Sequence, residues 1–341
     1  MIKFIKKNPA IPQRWIVLTA LAYSLTAAQA QTPQAEKAFI KENMEFATKQ
    51  YSLMMQTPAQ GKNGKAIMPH SIRKDGTPSK GSIYLWTAGF FPGTLWYLSN
   101  YTGDKALQDS ALVYTHQMEP AKTFTDNHDI GFMMYCSYGN ANRFAPKDEY
   151  EDILVESARS LCTRFRPQAK VIQSWNGFRS WHGDKVYDFP VIIDNMMNLE
   201  LLFHASKVTG DESFRKVAIS HAEQVMHHQV RKDYSCFHII YYDKKTGKPI
   251  KGETSQGYSD NSAWSRGQAW GIYGFTMCYR ETRDKRFLKT AEKMADFYLD
   301  HPNLPSDKVA WWDFNAFQEG YTPGILSLIH ISEPTRRVVI S

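Results

Sequence analysis

Asp211-Glu-Ser-Phe214-Arg-Lys-Val-Ala218-Ile-Ser-His-Ala222 recurs 73 residues later as Asp284-Lys-Arg-Phe287-Leu-Lys-Thr-Ala291-Glu-Lys-Met-Ala295. Each copy follows a punctuation triplet, Thr209-Gly210-Asp211 or Thr282-Arg283-Asp284, and Thr102-Gly103-Asp104 is a third. A Gly in this setting ends one helix in the left-handed conformation, and the Asp caps the next. Alanines four apart then lay a narrow ridge along the second helix, suited to close packing. The repeating unit is therefore a helical hairpin with an apolar first helix and an amphipathic second. Hairpins repeated with variable loops imply an all-α chain arranged as a toroid, apolar helices inside and amphipathic ones outside.

Nine helices are expected, over 34–52, 87–101, 104–117, 129–143, 148–165, 193–208, 211–229, 264–281 and 284–300. A six-hairpin (α/α)6 toroid has twelve, so the last three are expected to be missing. Between helices, Tyr234–Tyr242 alternates like a strand, and Thr246-Gly247 turns it into a short β-hairpin near 234–250.

The two ends read differently from this body. Lys3, Lys6, Lys7 and Arg14 precede an apolar run from Trp15 to about Leu25, and Ala28-Gln29-Ala30 is a small-x-small cleavage site. Residues 1–30 are thus expected to be a signal peptide, giving a periplasmic or secreted product. The run is too short for a membrane anchor, and no run approaches the ~20 residues a span requires. At the other end, residues 322–341 resemble translated adapter DNA, which would leave 31–321 as a truncated catalytic domain.

The chain has 341 residues, 43% hydrophobic and 22% charged, a composition that excludes wholesale disorder. Its net charge of +7 sits mostly outside the body. Residues 1–30 hold four bases and no acid, and 325–341 two bases against one acid, which leaves 35 bases and 33 acids over 31–324. That balance excludes a phosphate-binding surface, and with it nucleic acid, as the default partner. Cys136, Cys162, Cys236 and Cys278 show no C-x-x-C spacing, so single thiols are expected and no structural metal. His227-His228 is expected on the surface of an outer helix.

Polar and aromatic residues gather where the inner helices begin. Trp86-Thr-Ala-Gly-Phe-Phe-Pro-Gly93 opens the first, His128-Asp-Ile-Gly-Phe132 the second and Asp194-Asn-Met-Met-Asn198 the third, while the fourth carries Ser265-Arg-Gly-Gln-Ala-Trp270. In a toroid these starts converge on one mouth. Two carboxylates, an arginine, histidines and tryptophans in one cup suit a carbohydrate: rings stack on sugars, and Arg grips a sugar carboxylate with two parallel bonds. Taken singly, Asp129 and Asp194 equally fit helix caps, Arg266 a structural ion pair, and Trp86 and Trp270 ordinary core.

The set Trp86–Gly93, His128–Phe132, Ile193-Asp-Asn-Met-Met-Asn-Leu199, Gln256-Gly-Tyr-Ser-Asp260 and Trp264–Trp270 resembles the unsaturated glucuronyl hydrolases of glycoside hydrolase family 88, over about residues 40–315. The resemblance implies an (α/α)6 barrel that removes a 4,5-unsaturated uronic acid from the non-reducing end of lyase-generated oligosaccharides. It implies hydration of a vinyl ether, with no metal or organic cofactor. Asp194 is then the general acid/base, and Asp129 supplies the neighbouring charge that raises its pKa. Trp86, His128, Trp175, His238, Gln256, Arg266 and Trp270 match substrate-binding positions, with Arg266 and His238 on polar groups of the uronate and Trp270 and Trp175 on rings; Trp181 competes with Trp175 for its place. After Trp312-Asp313-Phe314 the family's next inner helix is absent, so a wall of the cup is expected to be missing and the fold poorly stable. Two rival functions remain: an inverting glycosidase using Asp129 and Asp194, and a non-catalytic, truncation-inactivated binder of acidic sugars.

Overall fold

The computed structural model describes residues 33–56, 67–73, 75, 77–180, 182–183 and 185–316. The expected signal peptide, the tail 322–341 and Trp181 lie outside the described residues. The chain divides into two compact units, 1–49 and 50–341. Helix α1 (Pro33–Met55) starts in the first, where Phe39, Ile40 and Phe46 are exposed. Its last turns belong to the second, where Tyr51 stacks on Phe91 at 5.3 Å.

The second unit is a succession of helical hairpins. Phe90–Thr102 (α2) pairs with Lys105–Gln117 (α3), Leu199–Thr209 (α6) with Glu212–His228 (α7), and Ser265–Thr282 (α8) with Lys285–Asp300 (α9). Between the first and second of these, Ile130–Met134 runs through a π turn, Tyr135–Gly139, into Asn140–Phe144 (together α4), followed by Asp148–Cys162 (α5). All nine expected helices are therefore present among the described residues, and the punctuation works as read. Gly103 and Gly210 take φ of 73° and 74° to end α2 and α6. Asp104, Asp211 and Asp284 each accept a hydrogen bond from the backbone two residues on, at 2.8 Å. The third triplet carries Arg283 where the others carry Gly, and it adopts φ 60°, a conformation costing a non-glycine residue about 1–2 kcal/mol. Phe214 and Phe287 are buried, as are Ala218, Ala222 and Ala291. Sealing each phenyl ring from water contributes about 2–3 kcal/mol to holding the outer helices down.

Two inner helices depart from regular geometry. In α4 the π turn leaves carbonyls that side chains take up: the Ser137 hydroxyl donates to Met133 O (2.6 Å) and Asn140 Nδ2 to Cys136 O (2.8 Å). The third inner helix opens as a 3-10 turn, Ile193–Met197, and becomes α-helical only at Leu199.

The all-α reading needs amending, because short antiparallel sheets fill the connections. Ile67–Ile72 (β1) pairs with Pro78–Ser82 (β2), Phe165–Arg166 (β3) with Val171–Ile172 (β4), and Phe178–Arg179 (β5) with Val186–Tyr187 (β6). Pro190–Ile192 (β7), Ile239–Tyr242 (β8) and Pro249–Glu253 (β9) form a three-stranded sheet. The expected hairpin near 234–250 exists, but its first strand begins at Ile239, because Tyr234 sits at φ 66° and cannot extend the ladder. Strands β7 and β8 are buried on both faces, while β9 lies at the exposed edge. Ile240 and Tyr242 pack with Val191 and Phe189 on one side; Ile239 and Tyr241 pack with Ile192 and Tyr187 on the other, where Trp175 and Phe178 also lie. All four cysteines are free thiols. His227 is exposed, while His228 is half-buried against Tyr242.

Candidate active site

The inner-helix starts meet. Gly89 and Gly131 allow it, since a Cβ on Gly89 would lie 2.2 Å from Met133 O, and one on Gly131 would lie 2.5 Å from Asn198 Oδ1. The Asn198 side chain accepts the Phe132 N–H (2.8 Å), joining the second start to the third. Rings complete the contact: Trp86 lies edge-on to Phe90 and Phe132, and Phe132 to Trp270 at 5.5 Å.

Unlike Asp104, Asp211 and Asp284, Asp129 stands at the N-cap of its helix without a side-chain cap bond, and Asp194 lies within the first turn of the third start, after the N-cap Ile192. Each carboxylate faces a buried imidazole: His128 Nε2 is 3.2 Å from Asp129 Oδ1, and His238 Nε2 is 3.8 Å from Asp194 Oδ2.

The network assigns the histidine protons. The backbone N–H groups of Ser255 and Gln256 both donate to His238 Nδ1, at 3.0 and 3.2 Å, so the ring proton sits on Nε2, towards Asp194. Ser174 Oγ accepts the Ile192 N–H (2.9 Å) and lies 3.5 Å from His128 Nδ1; with the hydroxyl proton turned to Nδ1, the His128 proton sits on Nε2, towards Asp129. Burial drives both rings down to about 3, opposed at His128 by a hydrogen bond with Asn195 that favours the protonated ring and reinforced at His238 by Arg266. Both stay neutral donors across the physiological range.

Asp129 behaves oppositely. Burial first, then the charge of Asp194, push its carboxyl up to about 8, with Arg164 pulling weakly the other way. The carboxylate pair thus holds a proton at neutral pH. The sequence argument expected the two carboxylates to raise one another, and at Asp129 the charge of Asp194 acts in that direction.

Arg266 stands over two rings, its guanidinium carbon 5.4 Å from the Trp86 centroid and 4.7 Å from Trp264. It donates to Gln256 Oε1 at 2.5 Å. Trp175 is half-buried and tilted on Phe178 at 5.0 Å. Asp194, His238, Gln256, Arg266 and Trp86 are therefore linked in one chain of contacts, Trp270 joins it through Phe132, and the His128–Asp129 pair is coupled to it by the charge of Asp194. The Trp270 indole N–H is buried with no hydrogen-bond partner, a donor available to a ligand.

Several residues escaped the sequence reading. Trp264, the first letter of its own motif, lies 4.4 Å from the His238 ring and beneath Arg266. Asn198, at the end of the Asp-Asn-Met-Met-Asn motif, does the capping assigned to aspartates. Arg164 follows α5 with no motif to flag it, yet donates to Thr125 O, Gln173 O, Ser174 O and Asn176 Oδ1 beneath Asp129. Asp313, fifty residues on, accepts from Tyr258 N and Ser262 Oγ, holding the Gln256 loop.

Residues 60–278 match Glycosyl Hydrolase Family 88. The chain belongs to that family. An unsaturated glucuronyl hydrolase of Formosa agariphila is 45% identical over 251 residues, which cover 73% of this chain and 60% of that protein. An unsaturated chondroitin disaccharide hydrolase of Streptococcus pyogenes is 35% identical, covering 80% of this chain and 66% of that protein. The crystal structure of an unsaturated glucuronyl hydrolase specific for heparin superposes with a TM-score of 0.76 at 41% identity, covering 82% of this chain and 72% of that one. The chain thus spans about 60% of the length of the first of these family 88 relatives. Among the described residues no helix is long and apolar enough to cross a membrane.

Proposed function

We propose that this family 88 chain is a glycoside hydrolase that removes the 4,5-unsaturated uronic acid from the non-reducing end of lyase-generated oligosaccharides. The observation that carries the reading is the Asp129–Asp194 pair, holding a proton, with the Nε2 of a neutral, buried imidazole beside each carboxylate. Vinyl ether hydration needs a carboxylic acid that gives a proton and then serves as a base. The proton of the pair passes from Asp194 to C4 of the double bond, leaving positive charge shared between C5 and the ring oxygen. Asp194, now a carboxylate, takes a proton from water as its oxygen bonds to C5. The C5 hemiketal opens to a ketone, the ring oxygen leaves as the C1 hydroxyl, and the C1 hemiacetal then releases the shortened sugar. Asp129 keeps the pair's second charge in check, and its partner His128 fixes it. Arg266, held flat by Trp86 and Trp264, supplies the two-pronged donor for the uronate carboxylate, with Gln256 and His238 beside it. Trp270 and Trp175 stack on the rings.

The helical hairpins, with inner starts converging and the relatives superposing, support an (α/α)6 barrel as the complete architecture. The basic-then-apolar stretch before Ala30 supports export to the periplasm or beyond. The decisive comparison is between an unsaturated uronyl disaccharide and its saturated counterpart. Hydration requires the double bond, so only the first is consumed; equal cleavage of both would show displacement at the anomeric carbon instead.

A further inference from the structure

The loop that carries Gln256 is anchored at both ends by carboxylates. It follows Glu253, the last residue of β9, and closes at Asp260, whose Oδ1 accepts the Thr254 N–H (3.0 Å). Within it, the amides of Ser255 and Gln256 hold His238 in the tautomer that faces Asp194, and Gln256 holds Arg266. One exposed residue from a different segment reaches both anchors. His182, at the tip of the β5–β6 hairpin, places Nε2 2.8 Å from Asp260 Oδ2 and 3.6 Å from Glu253 Oε1. Ser180 of the same hairpin donates to Glu253 Oε1 at 2.5 Å. The hairpin itself is fixed at its base, where Phe178 packs on Trp175 and Tyr187 stacks on Tyr241 at 4.1 Å.

We propose that His182 is a positioning residue: its imidazolium clasps Asp260 and Glu253 and so holds the Gln256 loop, and through it His238 and Arg266, in register for the uronate. The substrate part of this inference rests on the function proposed above; the clasp itself does not.

The charged groups facing His182 are Asp260 and Glu253, which favour its protonated form, and Lys251, which opposes it. The hydrogen bond and charge of Asp260 lead, and lift His182 above its ordinary 6.5. A group raised in this way holds its contact fully below its unfolded pKa and loses it as pH climbs through the folded value. The clasp is therefore closed at low pH and releases as pH climbs through the raised His182 value.

The experiment uses the full chain and two variants, His182→Gln, which keeps a donor without a charge, and His182→Ala. Because His182 is more than half exposed, neither change threatens the fold. Hydrogen exchange of amides 254–260 and the His182 pKa by NMR read the clasp directly. Thr254 exchange should quicken several-fold in His182→Ala at pH 6, with wild type approaching the variant as pH climbs through the His182 pKa that NMR reads. With an unsaturated uronyl disaccharide, KM should rise ~3- to 10-fold in both variants at pH 6 while kcat changes less than ~2-fold, the range expected of a partly exposed ion pair. The pH dependence of KM seen in wild type should flatten in His182→Gln. A His182 pKa at or below 6.5 with loop exchange unchanged in His182→Ala overturns the clasp. Faster exchange with an unmoved KM overturns the positioning role. If no uronide is turned over but exchange and NMR behave as expected, the clasp holds and the failure belongs to the proposed function.

Discussion

Asp129→Asn should stabilise the protein and do so increasingly as pH rises. The wild-type carboxyl titrates near 8 in the folded chain, against 3.8 for an unperturbed side chain. Between those values the folded state binds the extra proton, so folding becomes less favourable as pH climbs through the window. At about 1.4 kcal/mol per pH unit the displacement sets an upper bound of about 6 kcal/mol. The side chain keeps 14% of its surface in water, and repulsion from Asp194 relaxes when either group moves, so about 2–3 kcal/mol is expected to be realised. Asparagine has no charge to bury and escapes the penalty while keeping an oxygen for His128 Nε2. For a chain of this size each kcal/mol moves the midpoint by about 1.5–2 °C. Thermal unfolding of wild type and Asp129→Asn, scanned from pH 4 to 9 at fixed rate, should show nearly coincident midpoints at pH 4. By pH 9 the variant should lead by about 3–6 °C, with activity lost throughout. A midpoint difference flat across pH, or one in which the variant falls behind as pH rises, would refute the reasoning that Asp129 is buried against Asp194.

Other consequences follow from packing. Gly131→Ala puts a Cβ within 2.5–2.7 Å of three Asn198 atoms and should cost more than about 2 kcal/mol along with most activity; stability within 0.5 kcal/mol of wild type would contradict the close approach. Arg283→Gly relieves the left-handed backbone and should gain about 1 kcal/mol in denaturant unfolding, so a loss would show that its contact with the Tyr279 ring outweighs the strain. Burial drives the Cys136, Cys162 and Cys236 thiols up to about 12, so a disulfide reagent at pH 8 should label none of them until the chain unfolds; prompt native labelling would place a thiol in solvent.

The hairpin repeat was legible because its signals are local. A Thr-Gly-Asp triplet fixes a helix end and the next cap within three residues, and the Phe-Ala-Ala ridge shows the buried face without reference to anything distant. The short sheets were less legible: β3–β4 and β5–β6 are two residues long, shorter than any alternation can reveal, and they exist because the polypeptide between α5 and α6 must be pinned beneath the cup. The site residues could be located from their motifs, but their division of labour could not. Whether an aspartate caps a helix or faces a cavity depends on who else offers an acceptor, and here Asn198 reaches across from another helix. Arg164 and Asp313 left no local signal because the site partners each holds lie between 9 and 55 residues away. That burial leads in raising the Asp129 carboxyl was not legible either, because a sequence does not record burial.

The central claim is that a proton shared by Asp129 and Asp194 is delivered by Asp194 to a conjugated double bond. The most direct test follows the ultraviolet absorbance of that bond in a lyase-generated unsaturated disaccharide, with wild type and Asp194→Asn side by side and circular dichroism confirming that both are folded. Absorbance should decay with wild type and persist with Asp194→Asn. Equal decay in both, or none with folded wild type across several uronides, would contradict it.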